Sequence, residues 1–208
     1  MRLFVFFALL GMAVSSWAQD SMKKLLSSPD ERMVALFMGV DLNTRLDMID
    51  YFEGGYDIFS QGPFKSDMRI TKLDDRHVRF ESNTPVSVDA WLLTPGADSL
   101  MVFVVSTPID NGDAIITVNN LRKGGAPQRI TPLYSDWLKA DALKNVSEPR
   151  LTSIIPFVTA LATVDEKNNT VKLTNTWIDV PGIDRDVISV FKPSLTYGWN
   201  GRSFVLKK

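Results

Sequence analysis

The chain has 208 residues, 45% of them hydrophobic, and it contains no cysteine. Its formal net charge of −1 provides no electrostatic attraction to nucleic acid or to an anionic membrane. The lack of thiols excludes disulfides, thiol redox chemistry and thiolate metal sites, so one sizeable domain or two small ones must be stabilised by packing alone.

The first eighteen residues are predicted to be a secretory signal peptide. Arg2 precedes an apolar run over residues 3–14, and a small-residue segment ends at Ala18. This run is shorter than the roughly 20 residues that span a bilayer, and no second candidate follows, so no transmembrane segment is expected in the mature chain. We expect cleavage of residues 1–18 and a periplasmic or cell-envelope location. Without a cysteine the protein cannot be a lipoprotein of the bacterial type.

Two amphipathic helices are predicted at the start of the mature chain. Ser28 as N-cap and Pro29 at the first helical position favour one helix start, and apolar residues spaced by 3.6 follow over residues 33–40. Asn43 is predicted to cap a second helix, which the pair Gly54-Gly55 ends.

From about residue 66 the apolar period changes to two, and turn residues recur at the spacing of antiparallel strands. The run over residues 100–105 is apolar on both faces, which is typical of a central strand. We therefore expect an α+β fold in which N-terminal helices pack on a mostly antiparallel β-sheet. The predicted strands lie near residues 66–73, 76–82, 86–93, 99–106, 113–119, 127–134, 158–164, 170–177, 187–192, 194–199 and 202–207.

The last two predicted strands form the best-defined hairpin. Asn200-Gly201 is the preferred sequence of a two-residue type I′ turn. This turn would set Trp199 opposite Arg202 and Tyr197 opposite Phe204.

A polar stretch over residues 144–150 interrupts the patterned segments. It divides an α+β domain at residues 19–145 from residues 146–208. The second part is either a mostly-β continuation of the first or a second small, related subdomain.

Few residues offer catalytic chemistry. His77 is the only histidine, and the alternation with Val78 and Phe80 predicts that it faces solvent. A zinc site of several imidazoles is thereby excluded, and no nucleophile motif accompanies His77. Glu53 and Glu81 have no assigned structural role, so a carboxylate pair acting on a glycan stays open as an alternative.

The loops carry oxygen-rich and glycine-rich motifs. Asp74-Asp75 and the segment 110–113 could hold calcium, but neither matches an EF-hand loop and both are typical of plain turns. Gly124-Gly125 lacks the following helix and the lysine of a phosphate loop, which favours a hairpin loop. We therefore predict no metal and no cofactor.

Four tryptophans are candidates for a surface that contacts carbohydrate or protein, with core packing as the alternative for at least half of them. They are Trp91, Trp137, Trp177 and Trp199.

Three segments carry a family resemblance: residues 43–50, residues 73–75 and residues 195–201. With them, nearly the whole mature chain resembles domain-of-unknown-function family 3256 of exported Bacteroidales proteins. The resemblance implies a periplasmic or cell-envelope protein. No activity is known for that family, so it supplies no catalytic residues.

The sequence leads to three functional hypotheses. The first is a non-catalytic envelope module that binds a protein or glycan partner, because no nucleophile, metal or cofactor constellation is evident. The alternatives are a carboxylate-dependent hydrolase acting on glycans and an inhibitor-like fold that blocks another protein. A deep cleft holding two carboxylates would favour the hydrolase.

Overall fold

The structure is a computed structural model that describes residues 21–61, 67–94, 100–107, 113–121 and 126–207. The predicted signal peptide, the Gly124-Gly125 loop and residues 110–112 lie outside the described residues.

Six α-helices are present in the described parts of the chain, together with two short 3₁₀ segments at Tyr134–Trp137 and Thr176–Asp179. The helices are α1 (Met22–Leu26), α2 (Arg32–Leu36), α3 (Leu42–Glu53), α4 (Ala142–Asn145), α5 (Glu148–Ile154) and α6 (Arg185–Ser189).

The strands are β1 (Ser60–Gln61), β2 (Asp67–Leu73), β3 (His77–Ser82), β4 (Ser87–Leu93), β5 (Leu100–Ser106), β6 (Ala114–Asn120), β7 (Gln128–Ile130), β8 (Ala160–Asp165), β9 (Thr170–Asn175), β10 (Ser194–Trp199) and β11 (Phe204–Leu206). Strands β1 to β7 form a seven-stranded sheet in chain order, and β8 to β11 form a second, four-stranded sheet, also in chain order. All the strand pairs are antiparallel. The predicted α+β class is confirmed.

The seven-stranded sheet is covered on both faces. Met101 and Phe103 of β5 belong to a core beneath α1–α3, which we call the helix-side core. Val102 and Val104 of the same strand point the other way, into an inter-sheet core that includes Leu173 of the second sheet. The prediction of a doubly buried central strand is confirmed, and residues from both sides of the predicted boundary at 145 share the inter-sheet core.

The helix ends differ from the predicted ones in detail. The N-cap of α3 is Asp41 rather than Asn43, because the Asp41 carboxylate accepts a hydrogen bond of 3.0 Å from the Thr44 N–H. Helix α2 begins only at Arg32, whereas the predicted helix begins directly after its N-cap at Ser28. Gly54 is the C-cap of α3, as predicted, and Gly55 follows with a positive φ of 70°.

The predicted strand at residues 187–192 is wrong, because this segment starts with helix α6. The side chain of Asp184 accepts from the Asp186 N–H and caps the helix. Val187, Val190 and Phe191 are buried, which is the i, i+3, i+4 spacing of a helix face rather than strand alternation.

The register of the last hairpin also differs from the prediction. Trp199 pairs with Phe204 rather than with Arg202. The Asn200 side-chain oxygen accepts hydrogen bonds of 2.9 Å from the N–H groups of Arg202 and Ser203, which stabilises a longer loop. Because the shift is two residues, each side chain stays on its predicted face, and Phe204 packs against Trp199 instead of Tyr197, with ring centroids 5.7 Å apart.

Candidate functional site

A cavity of about 470 Å³ lies between α2 and strands β4–β6. Its helical wall is formed by Arg32, Met33, Ala35, Leu36 and Met38. This volume is within the range of small-molecule sites, which runs from about 300 to 1,000 Å³.

The floor of the cavity is the helix-facing side of the seven-stranded sheet. It consists of Val88 on β4, Phe103 and Val105 on β5, and Thr117 and Asn119 on β6. Asn120, Leu121 and Pro127 complete the lining beyond the end of β6.

The end of α2 has an unusual backbone at the cavity wall. Met38 has a φ of 57° and Gly39 a φ of 83°, and the Gly39 N–H donates to the Val34 carbonyl at 2.7 Å. The left-handed conformation costs a residue with a side chain about 1–2 kcal/mol. Such strain is concentrated at functional sites, and here it lies on a residue that lines the cavity.

Arg45 of α3 holds both ends of the helical wall in place. It is 1% exposed, and its guanidinium donates to the carbonyls of Leu26, Val40 and Ser28 at 2.8, 2.7 and 2.8 Å. Burial lowers the pKa of Arg45, but the three carbonyl acceptors compensate its desolvation. Because Ser28 precedes α2 and Val40 follows it, one buried side chain positions the cavity wall.

His77 lies on the predicted face of β3, but the prediction that it faces solvent is wrong. It is 6% exposed, its Nε2 lies 2.7 Å from Asp89 Oδ1, and its ring stacks on Trp91 at 4.5 Å. The stacked Trp91 ring, which itself packs against the inter-sheet core, covers His77, and strand alternation cannot reveal such a contact. His77 Nδ1 is buried and has no hydrogen-bond partner among the described residues. With both side chains of the pair 8% exposed, a substrate has no access to it.

A charged network continues from Asp89 across the same face of the sheet. Arg79 lies 3.4 Å from Asp89 Oδ2 and 3.3 Å from Glu81. Glu81 also contacts Arg69, which pairs with Asp57 near the sheet edge. The network alternates three carboxylates with two guanidinium groups, so each charge has a neighbour of opposite sign.

The two unassigned glutamates do not form a catalytic pair in the cavity. Glu53 is paired with Lys23, and Glu81 is paired with Arg69 and Arg79. Neither lines the cavity under α2, whose described lining contains no carboxylate and no imidazole. A smaller cavity of about 110 Å³ holds one carboxylate, that of Asp113, which accepts a hydrogen bond from the Ala160 N–H.

The four tryptophans differ in exposure. Trp137 is 2% exposed within the inter-sheet core, so it cannot belong to a binding surface. Trp91, Trp177 and Trp199 are partly buried against the same core. Trp177 also packs edge-on to Phe157, whose exposed fraction is 61%.

An exposed apolar segment was missed by sequence reasoning. Tyr56, Ile58 and Phe59 are 63%, 45% and 40% exposed directly after α3, and the Arg69 guanidinium lies 4.7 Å from the Phe59 ring centroid. Three large apolar residues immediately after the helix-ending glycine pair were the signal that could have identified it.

The Asp74-Asp75 motif forms a turn. Asp74 Oδ1 accepts from the N–H groups of Arg76 and His77 at 3.0 and 2.8 Å. Among the residues that the structure describes, no group of three or more histidine, aspartate and glutamate side chains is placed to hold a metal ion.

Comparison with known proteins supports the fold alone. No family model matches the chain, and no curated protein matches it. Its fold is similar to that of a domain of an uncharacterized protein from Porphyromonas gingivalis W83, at 14% identity and a TM-score of 0.61. The match covers 88% of this chain and 95% of that one. The resemblance to family 3256 stays a prediction.

Within the described ranges, none of the helices has the length and apolar character needed to span a bilayer.

Proposed function

We propose that this protein is an exported, non-catalytic binding module of the cell envelope, and that its ligand site is the cavity under α2. The observation that carries this proposal is the composition of the cavity lining. Nine of the thirteen described residues of the lining are apolar, and Arg32 carries the only charged side chain among them. Such a lining favours retention of an apolar molecule and supplies no acid–base pair for hydrolysis.

The methionines of the cavity wall support binding of ligands that differ in shape. Met33 and Met38 contribute unbranched, polarizable thioethers to the lining. Methionine adapts its shape to a ligand at little energetic cost, which is why it is common at permissive binding surfaces.

The exposed segment at residues 56–59 supports a second contact, with a protein or glycan partner in the envelope. Tyrosine, phenylalanine and arginine are the residue types enriched at such interfaces. We expect a Tyr56→Ser, Phe59→Ser double variant to lose a partner that the wild type retains from an envelope extract. Leu133→Ser is the matched control, since Leu133 is 67% exposed in another part of the chain.

The cavity is tested by titration with Nile red, an uncharged dye that fluoresces in apolar surroundings. Thr117→Trp should place an indole in the cavity and weaken dye binding by about tenfold or more, which corresponds to about 1.4 kcal/mol. Ile115→Trp is the matched control, because Ile115 lies on the same face of β6 but outside the lining. Equal dye binding by all three proteins, each checked for native circular dichroism, would contradict the proposal.

The export part of the proposal has a separate test. Expression of the full chain in its native cell, followed by fractionation, should place the protein outside the cytoplasm with Gln19 as its first residue. A cytoplasmic protein that retains residues 1–18 would overturn export without affecting the cavity.

A further inference from the structure

The cavity floor is divided into an apolar part and a polar part. Phe103 of β5 pairs directly with Thr117 of β6, and Val88 pairs with Val105 on the β4 side. The apolar side chains therefore lie on β4 and β5. Thr117 and Asn119, two residues apart on one face of β6, form a polar strip along one side.

The polar strip has unused hydrogen-bonding capacity. The Thr117 hydroxyl and the Asn119 amide are half-buried, and neither forms a side-chain hydrogen bond within the described ranges of the chain. Polar groups withdrawn from bulk water normally have partners. A ligand with its own donor and acceptor would satisfy both groups at once.

The charges around the cavity argue against an ionic ligand. Among the described residues of the lining, Arg32 is the only charged one, and its guanidinium is held by Asp30, with Nε 3.1 and 2.9 Å from the two carboxylate oxygens. An anionic ligand would have to compete with Asp30. A cationic ligand would find no carboxylate in the described lining. Burying an unpaired charge is far less favourable than burying a neutral polar group.

We infer that the ligand of this cavity is a neutral amphiphile, an inference that rests on the proposed function. Its hydrocarbon part lies over Val88, Phe103 and Val105 beneath α2. Its head is an uncharged group such as a hydroxyl or an amide, and it hydrogen-bonds to Thr117 and Asn119.

The test compares three probes with one eight-carbon tail: octan-1-ol, octanoate and octylammonium at neutral pH. Each is titrated into the full mature protein carrying bound Nile red, and dye displacement is measured. We expect octan-1-ol to displace the dye at a concentration about tenfold lower than either ion. Thr117→Val and Asn119→Leu remove the polar groups with little change of shape, and each should reduce that preference to about threefold or less.

The outcomes separate this inference from the proposed function. If Nile red does not bind, or Thr117→Trp leaves its affinity unchanged, both fail. If the dye binds in the cavity but the three probes displace it equally, or octanoate displaces it best, only the neutral amphiphile is overturned. Should Thr117→Trp fail to fold, Ala35→Trp serves as the blocking variant, because Ala35 is an exposed residue that also lines the cavity.

Discussion

The side chain of Gln128 forms with Phe204 both hydrogen bonds that a neighbouring strand would form. Its amide nitrogen donates to the Phe204 carbonyl at 2.9 Å, and its amide oxygen accepts from the Phe204 N–H at 3.0 Å. Gln128 is on β7 and Phe204 is on β11, so these bonds join the outer strands of the two sheets. One amide thus closes the inter-sheet core along this side.

Replacing Gln128 should loosen the junction between the sheets. Gln128→Ala leaves a partly buried N–H and carbonyl of Phe204 without partners, so we expect the free energy of unfolding to fall by about 1–3 kcal/mol. Gln128→Glu can still accept from the N–H but cannot donate, and it should be equally destabilising at neutral pH. Chemical denaturation measures both. Arg129→Ala, at an exposed neighbour on β7, should change stability by about 0.5 kcal/mol or less.

The buried pair of His77 and Asp89 should be energetically coupled. A double-mutant cycle with His77→Phe, which keeps an aromatic ring against Trp91, and Asp89→Ala should give a coupling energy of about 1–3 kcal/mol. The Asp141–Lys144 pair has side chains 73% and 72% exposed, and its coupling should be about 0.5 kcal/mol or less. Similar couplings for the two pairs would show that burial does not strengthen the His77–Asp89 contact.

Among the residues of the N-terminal helices, Arg45 is the one whose substitution should destabilise the protein most. Arg45→Met preserves much of the side-chain volume but leaves three carbonyls without their donor, so we expect a loss of about 3 kcal/mol or more in stability. Because both ends of α2 depend on this residue, dye binding should weaken as well. Arg202→Met, in an exposed loop, is the control, and it should alter neither quantity measurably.

Met38 should affect dye binding through its side chain and protein stability through its backbone conformation. Met38→Gly and Met38→Ala both remove the thioether from the cavity, and both should weaken dye binding. Only glycine adopts the positive φ of 57° without strain, so the glycine variant should be more stable than the alanine variant by about 1 kcal/mol. Thermal denaturation compares them, and a more stable alanine variant would exclude strain at this position.

Lowering the pH should destabilise the N-terminus of α3. The N–H and hydroxyl of Thr44 donate to Asp41 and hold the pKa of Asp41 below its ordinary value of 3.8. A lowered folded-state pKa contributes stability above the unfolded value, and this contribution is lost as the pH falls from about 4 through the folded pKa.

Asparagine also caps helices but does not titrate. Asp41→Asn should therefore match the wild type at pH 7 to within about 0.5 kcal/mol, and it should lose less stability than the wild type between pH 5 and about pH 2. Asp41→Ala should already be less stable by about 1 kcal/mol at pH 7. Parallel acid curves for the wild type and Asp41→Asn would show that Asp41 is not the group responsible.

Strand positions could be predicted because alternation is a local property. The predicted strand at 86–93 and the observed β4, Ser87–Leu93, differ by one residue, and both faces of β5 are buried as its apolar run indicated. The predicted strand at residues 187–192 is wrong because a short apolar run fits either period. Its capping residue, Asp184, was the signal that distinguishes the two.

The sequence by itself determined the α+β class, the positions of most strands, and the face of a strand on which a side chain lies, because these depend on neighbouring residues. Only the tertiary structure decided that His77 is buried and that Arg45 holds α2. It also decided that α2 encloses a cavity over Thr117 and Asn119. Each of these features joins residues that are distant in the chain, and their contacts depend on how the layers pack rather than on any local pattern.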